Sequence, residues 1–151
     1  MSQLPLFPPT SVSIWSAWCD GASRGNPGPA AYGVVVCDPA GAVVREIGQT
    51  LGKDTNQAAE YEGLLRALEE LIRLGARRAR IFTDSQFVVR QYTGEYKARD
   101  ERMKSFLDHV RRRAASLEKL ELTHIPRSSH PHNVLADKLA NQALDDARHH
   151  P

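Results

Sequence analysis

The stretch WSAWCDGASRGNPGPAAYGVVVC, residues 15–37, decides how the fold begins. Its first part is apolar, its middle is dense in glycine and proline, and its end is rich in valine. The elements predicted from this pattern are a strand over 14–19, a loop over 20–29 and a strand over 31–37. The turn DPAG at 38–41 comes next, so we expect the second strand to form a hairpin with the alternating segment at 42–51.

The clearest helix of the chain follows this hairpin. Thr55 or Asn56 can cap its start, apolar residues repeat at helical spacing, and Gly75 can end it. The other predicted elements are a strand over 79–84, a short helix from Ser85 to about 92, a charged helix over 99–117, a strand over 120–126 and a helix over 131–148. The order βββαβαααβα, or one close to it, implies an α/β fold with a mixed sheet.

Length and composition indicate one globular domain. The 151 residues are 41% hydrophobic and 25% charged, which excludes collagenous and wholly disordered chains. No apolar run approaches the roughly 18 residues of a membrane span, so we expect no membrane association. Without an export signal or a disulfide framework, the chain is expected in a reducing cytoplasm. The predicted division is a flexible N-terminal arm at 1–13, a domain at 14–147 and a frayed tail at 148–151.

The positive charge is concentrated in one segment. The net charge is only +2, but residues 97–113 hold seven basic and three acidic side chains. A basic patch of this kind is typical of proteins that bind polyanions. A solvated helix face would give the same pattern, and the charge alone does not choose between them.

Acidic residues stand where a functional crevice is expected. Asp20 and Asp84 end two predicted strands, and the carboxyl ends of neighbouring parallel strands meet at one edge of a sheet. On the first helix, Glu60 shares its side with Leu64 and other apolar residues, where a lone carboxylate needs a partner. Glu62 instead belongs to an alternating-sign face that predicts solvated ion pairs.

Asp137 repeats the oddity of Glu60 near the start of the last helix, beside a stripe of alanines. Hard divalent cations such as magnesium prefer several carboxylate oxygens together with water. Four acids on two strand ends and two helix starts therefore indicate a cation site. Such a cluster suits two-metal phosphodiester chemistry.

Four segments resemble the motifs of the type 1 ribonuclease H family. They are DGASRGNPGPAAYG at 20–33, TNQAAEYEGLLRALEEL at 55–71, FTDSQFVV at 82–89 and IPRSSHPHNVLADKLANQAL at 125–144. In this order and spacing they span nearly the whole chain. The resemblance implies the ribonuclease H fold, a five-stranded mixed sheet in the order 3-2-1-4-5 flanked by helices on both faces.

The resemblance also implies an activity, which is endonucleolytic cleavage of the RNA strand of an RNA–DNA hybrid to 5′-phosphomonoester products. It implies two ions of magnesium, or of manganese, at the active site. The family's catalytic metal-binding acids fall on Asp20, Glu60, Asp84 and Asp137. Its hybrid-contacting residues fall on Asn26, Asn56 and Gln86, and Thr55 matches a residue of its phosphate pocket.

The chain departs from the family at two places. Aligning from Asn133 and Asp137 puts Arg127 where many bacterial members have a flexible histidine, while His130 and His132 lie in the same loop and are alternatives. The segment after Tyr92 lacks tryptophan and is shorter than the basic protrusion of many members. The branch without that protrusion is the closer match.

Two other functions remain open at this stage. The chain could be a nuclease domain of the same fold that belongs to a transposon or a reverse transcriptase. It could also be a hybrid-binding module without catalysis, although carboxylates held against phosphates weaken binding. We expect a monomer with no obligate protein partner.

Overall fold

A computed structural model describes residues 13–149. Most of the predicted arm at 1–13 and the end of the predicted tail at 148–151 lie outside these residues, so both remain predictions. The elements are β1 Ile14–Ser23, β2 Gly28–Cys37, β3 Val43–Asp54, α1 Asn56–Arg73, β4 Arg78–Thr83, α2 Gln86–Thr93, α3 Glu101–Ala114, β5 Lys119–His124 and α4 Pro131–His149.

The five strands form one mixed sheet in the order β3-β2-β1-β4-β5, which confirms the predicted fold class and strand order. The pairs β1–β2 and β2–β3 are antiparallel, whereas β1–β4 and β4–β5 are parallel. Parallel neighbours need crossover connections, and the helices α1, α2 and α3 occupy them. The described chain has two helices between β4 and β5, not the three that the expected order contained.

The loop between β1 and β2 is much shorter than predicted. Both strands extend into the segment rich in glycine and proline, and pairing continues to Ser23 opposite Ala30. The predicted loop at 20–29 is therefore wrong, and only residues 24–27 connect the strands. Antiparallel pairing satisfies the backbone groups of this segment in spite of its turn-like composition.

Helix α1 begins and ends where the sequence predicted. Oγ1 of Thr55 accepts a hydrogen bond from N of Ala58 at 3.1 Å, and Gly75 after the helix has φ of 87°. The side of α1 that carries Leu64 and Leu68 packs on β1 and β2 and forms the larger core, which α3 extends. This packing holds the start of α1 against the middle of β1.

Helix α4 covers the other face of the sheet. It packs on β1, β2 and β3, with Trp18, Val35 and Ala136 in the smaller core. The helix lies so close to β2 that a Cβ at Gly33 would overlap the carbonyl of Ala136, which explains the glycine. No helix among the described residues is long and apolar enough to cross a membrane.

Candidate active site

Three of the predicted acids meet at one edge of the sheet. Asp20 lies in β1, Glu60 in α1 and Asp84 directly after β4, and each offers a carboxylate oxygen within 4.8 Å of the others. Asp20 does not end its strand as predicted, because β1 continues to Ser23. The parallel pairing of β1 with β4 does end just before it, at Trp18 opposite Phe82, so the predicted meeting of Asp20 and Asp84 still occurs.

Asp20 is the most buried member of the cluster. It is 3% exposed, and its Oδ2 has no hydrogen-bond partner. Burial raises the pKa of Asp20 to about 10, and the charges of Glu60, Asp84 and Asp137 act in the same direction. Each charged group that shifts this pKa is another carboxylate, so the carboxyl group lies in an environment that opposes its ionisation.

Glu60 projects from the first turns of α1 and is 8% exposed. Its Oε1 accepts a hydrogen bond from N of Gly21, which ties the helix to β1. A Cβ at Gly21 would overlap the backbone of Ala59 and Glu60, so only glycine permits this close approach. Burial and the charge of Asp84 raise the pKa of Glu60 to about 8, while the bond from Gly21 opposes the increase.

Asp137, the fourth predicted acid, lies in α4 on the opposite face of the sheet and is half-buried. The negative charge of Asp137 contributes to the raised pKa of Asp20. Nδ2 of Asn141, one turn later, donates to the carbonyl oxygen of Asp137 at 3.0 Å and to its Oδ1 at 3.3 Å. Asp137 is not one of the three acids that lie mutually within 4.8 Å.

The donor set fits a hard divalent cation. Carboxylates at this separation repel one another unless a cation lies between them or a proton is taken up. The cluster offers only oxygen ligands, which magnesium and manganese prefer, and Oδ2 of Asp20 is a buried acceptor without a donor. The arrangement can hold divalent cations against a phosphodiester.

The predicted hybrid-contacting residues lie around this cluster. Oδ1 of Asn26 accepts a hydrogen bond from N of Asn56 at 2.9 Å, so the loop before β2 is joined to the start of α1. Thr55 caps α1 with its hydroxyl oxygen, which is a structural role in addition to the predicted one. Gln86 begins α2, two residues after Asp84, with its side chain exposed.

The three basic candidates before and at the start of α4 differ in their surroundings. Arg127 is exposed and forms no hydrogen bond or ion pair with the part of the chain described. The ring of His130 stacks on Trp18 with centroids 4.8 Å apart, and the ring of His132 meets the same indole at 4.7 Å. Both histidines contact Trp18, although His130 is also exposed, whereas Arg127 has no such contact and stays available to a ligand.

Asn133 fixes the backbone of this loop. It is 2% exposed, and its Oδ1 accepts a hydrogen bond from N of Ser128 at 2.7 Å. Ser128 has φ of 57°, a left-handed conformation that this bond helps to hold. Arg127 is thus carried on a loop that is anchored immediately after it.

The alternating face of α1 differs from its prediction. Glu62 and Glu69 are half-buried, and the two arginines of this face, Arg66 and Arg73, do not pair with them. Arg66 and Arg73 both contact Glu70, which is 2% exposed and also receives Arg45 from β3. Sequence reasoning missed Glu70, although its spacing of four and three residues from the two helical arginines was a usable signal.

The basic segment is partly neutralised within the fold. Arg112 pairs with Asp108 at 3.0 Å, and Arg113 pairs with Glu69 at 3.2 Å. Nη2 of Arg111 donates to the carbonyl oxygen of Tyr92 at 3.3 Å. Sequence reasoning also missed Asp54, the last residue of β3, which forms two hydrogen bonds with Arg102 of α3.

A mixed sheet in this order, flanked by helices and carrying an acidic cluster at its edge, defines an α/β protein of the ribonuclease H fold with a candidate divalent-cation site. The family described as reverse transcriptase-like matches residues 18–143. The chain is 31% identical to ribonuclease H of Methylococcus capsulatus in an alignment of 141 positions that covers 86% of this chain and 88% of that protein. The chain belongs to the ribonuclease H family.

Two further relatives are closer in sequence. Ribonuclease HI of Halobacterium salinarum is 42% identical over 131 residues, or 87% of this chain. A solved structure of LC11-RNase H1 in complex with an RNA/DNA hybrid is 36% identical, has a TM-score of 0.81 and covers 89% of this chain and 99% of that one. The chain spans 64% of the length of the Halobacterium protein and 35% of the bifunctional protein of Mycobacterium tuberculosis.

Proposed function

We propose that this protein hydrolyses the RNA strand of RNA–DNA hybrids in a reaction that depends on divalent cations. The observation that carries the proposal is the cluster of Asp20, Glu60 and Asp84, in which Asp20 and Glu60 are buried and to which Asp137 adds a further negative charge. The family relationship supports it, since relatives are named ribonuclease H and one was solved with an RNA/DNA hybrid. A module that only binds hybrids gains nothing from carboxylates held against phosphates.

In this proposal Asp20, Glu60, Asp84 and Asp137 hold two magnesium ions, for which manganese can substitute. When bound, such ions activate a water molecule and neutralise charge on the scissile phosphate. The protein supplies orientation. N of Gly21 fixes one oxygen of Glu60, and Asn141 fixes Asp137, so the carboxylates are aligned before substrate arrives.

Asn26, Asn56 and Gln86 are proposed to contact the hybrid, and Thr55 to lie at a phosphate pocket. The bond between Asn26 and Asn56 joins two of these contacts before binding. Exposed amides and small residues in this loop allow a close approach to the minor groove, where 2′-hydroxyls distinguish RNA from DNA.

We assign to Arg127 the role that the flexible loop histidine has in other members of the family, with His130 as the alternative. A guanidinium makes bidentate contacts with phosphate and stabilises charge that develops in the transition state. The stacking of His130 on Trp18 favours this assignment. With this assignment, we propose that the chain belongs to a branch with arginine at this position and without the basic protrusion. We further propose that the protein acts in the cytoplasm as a monomer.

Incubation of a hybrid labelled on either strand tests the proposed function. With magnesium we expect the RNA strand to be cut to fragments with 5′-phosphates and the DNA strand to remain intact. Chelation should stop cleavage, and manganese should restore it. Hybrid binding without cleavage in either metal would overturn the proposal in favour of the non-catalytic module.

A further inference from the structure

Asp54 and Arg102 clasp the end of β3 to the start of α3. Nη1 and Nη2 of Arg102 donate to Oδ1 and Oδ2 of Asp54, each at 2.7 Å. Two parallel bonds of this kind fix orientation as well as distance and are the strong form of arginine–carboxylate pairing. The side chain of Asp54 is 14% exposed and that of Arg102 is 56% exposed, so the pair lies at the surface with its carboxylate partly covered.

Asp54 also contacts the segments that carry the proposed hybrid-binding residues. Its Oδ1 accepts a hydrogen bond from N of Thr55 at 2.8 Å, and its carbonyl oxygen accepts one from Oγ of Ser23 at 3.1 Å. In the sheet it lies opposite Gly28, directly after the loop that holds Asn26. One residue therefore joins β1, the start of β2 and the start of α1.

Arg102 belongs to the basic segment and is packed as well as paired. Its guanidinium carbon lies 5.3 Å from the ring centroid of Phe106, and that ring stacks on Tyr61 of α1 at 5.3 Å. Hydrogen bonds from Arg102 are the main cause that lowers the pKa of Asp54, so the carboxylate is ionised at neutral pH. The clasp is a fixed link between α3 and the start of α1.

We infer that Asp54 and Arg102 are positioning residues for hybrid binding, an inference that rests on the proposed function. The clasp holds the basic segment of α3 and the Thr55 end of α1 in one arrangement, so that both meet the same stretch of hybrid backbone. Because the arrangement exists before binding, less ordering cost falls on the complex. The pair acts through its neighbours and has no role in bond cleavage.

Asp54→Asn tests this inference by the sign of its effect. Removing an acid near phosphate contacts ordinarily strengthens binding of a polyanion. If the clasp positions α3, the same change releases Arg102 and weakens binding. We expect KM for the hybrid to rise about three- to tenfold, in line with the energy of a well-formed ion pair, while kcat stays within about twofold.

Two further variants complete the experiment. Arg102→Lys keeps the charge but loses the two parallel hydrogen bonds to Asp54, and we expect a similar rise in KM. Glu121→Gln is the matched control, since it removes a carboxylate that pairs with Arg80 between β4 and β5 at 3.1 Å, and its KM should not rise. Melting temperatures report whether each variant is folded.

Binding of the labelled hybrid in chelator, followed by fluorescence anisotropy, separates this inference from the proposed function. If the wild type binds but does not cleave, the proposed function fails, and Kd still tests the clasp. Unchanged or tighter binding by both Asp54→Asn and Arg102→Lys overturns the inference, as does a lower melting temperature with KM unchanged. If Asp54→Asn does not fold, Arg102→Lys alone decides.

Discussion

Helix α1 carries two buried glutamates, Glu60 and Glu70, whose surroundings are opposite. Glu60 faces Asp20 and Asp84, and burial together with the charge of Asp84 raises its pKa to about 8. Glu70 receives three arginines, from Arg45 at 3.5 Å, Arg66 at 3.2 Å and Arg73 at 2.8 Å.

These opposite surroundings distinguish Glu60, which belongs to a candidate cation site, from Glu70, which makes a structural contact. The fold compensates the charge of Glu70 with its own side chains, so this residue ties α1 to β3 and requires no ligand. At Glu60 the fold concentrates negative charge and leaves it for a cation from solution. Burial of an acid is therefore not a sign of function by itself, and the sign of the charge around it is what decides.

The largest expected effect is on turnover, when an acid of the Asp20, Glu60 and Asp84 cluster is changed. Asp84→Asn keeps the shape but removes a cation ligand. We expect the cleavage rate to fall by more than about a hundred-fold. Mutating a residue that only orients a metal ligand lowers activity by up to about a hundred-fold, and a ligand itself should matter more. Melting temperature should stay level or rise, because repulsion among the acids decreases. Rates on labelled hybrid measure the first effect, and thermal unfolding measures the second.

The matched change at the arginine-paired glutamate is Glu70→Gln. We expect its turnover to be close to that of the wild type when the protein is folded. Glu62→Gln serves as a second control on the same helix. Loss of cleavage in Glu62→Gln but not in Glu60→Gln would show that the assignment of helix faces is wrong.

The next largest effect is expected at Arg127, the positive group that we propose contacts the phosphate. Arg127→Ala should lower kcat by roughly ten- to a thousand-fold, as removal of one preorganised charge donor does. Arg127→Lys should recover part of the rate, because the charge remains without the planar fork. His130→Ala should have the smaller effect.

The pH profile of these loop variants distinguishes the two candidates. Arginine takes no part in proton transfer near neutral pH, so the profile should show no step that depends on His130. Loss of a pH-dependent step in His130→Ala alone would make this histidine the proton carrier and Arg127 a loop residue.

The two glutamates should also differ in what they contribute to stability. Glu70→Gln removes the buried negative charge that pairs with three arginines, and we expect it to lower the free energy of unfolding by about 1–3 kcal/mol. Glu60→Gln relieves repulsion and should leave stability level or increase it. Urea unfolding without divalent cations measures both. A loss of stability of equal size in the two variants would show that Glu60 and Glu70 are compensated alike by the fold.

The smallest expected effect is on binding. Changing Arg111, Arg112 and Arg113 to glutamine should weaken hybrid binding and flatten its dependence on salt, while turnover at saturating substrate changes little. Affinity measured over a range of salt concentrations gives the slope. A slope equal to that of the wild type would return this segment to a solvated helix face, consistent with the ion pairs of Arg112 and Arg113.

The sequence predicted those features whose causes are local. Helical spacing placed Glu60 on the buried side of α1, and the cap at Thr55 and the end near Gly75 follow from neighbouring residues. Residues 20–29 were interpreted as a loop because glycine and proline dominate them. Pairing with another strand decides their conformation, and local composition does not report that pairing.

The contacts that were missed join distant parts of the chain. Arg102 lies 48 residues after Asp54, and Arg45 reaches Glu70 from another strand. Their partners depend on how α1, α3 and β3 pack, which a one-dimensional pattern does not contain. The resemblance to the family supplied the strand order, whereas the residues alone indicated only a mixed sheet.

Thermal unfolding with increasing magnesium tests most directly whether the acidic cluster is a cation site. A ligand that binds only the folded state stabilises it, by about 2.7 kcal/mol at a hundred times its Kd. We expect the melting temperature of the wild type and of Glu70→Gln to rise with magnesium, and that of Asp20→Asn and Glu60→Gln to respond much less. An equal rise in all four proteins would contradict the account, because the cation would then bind elsewhere.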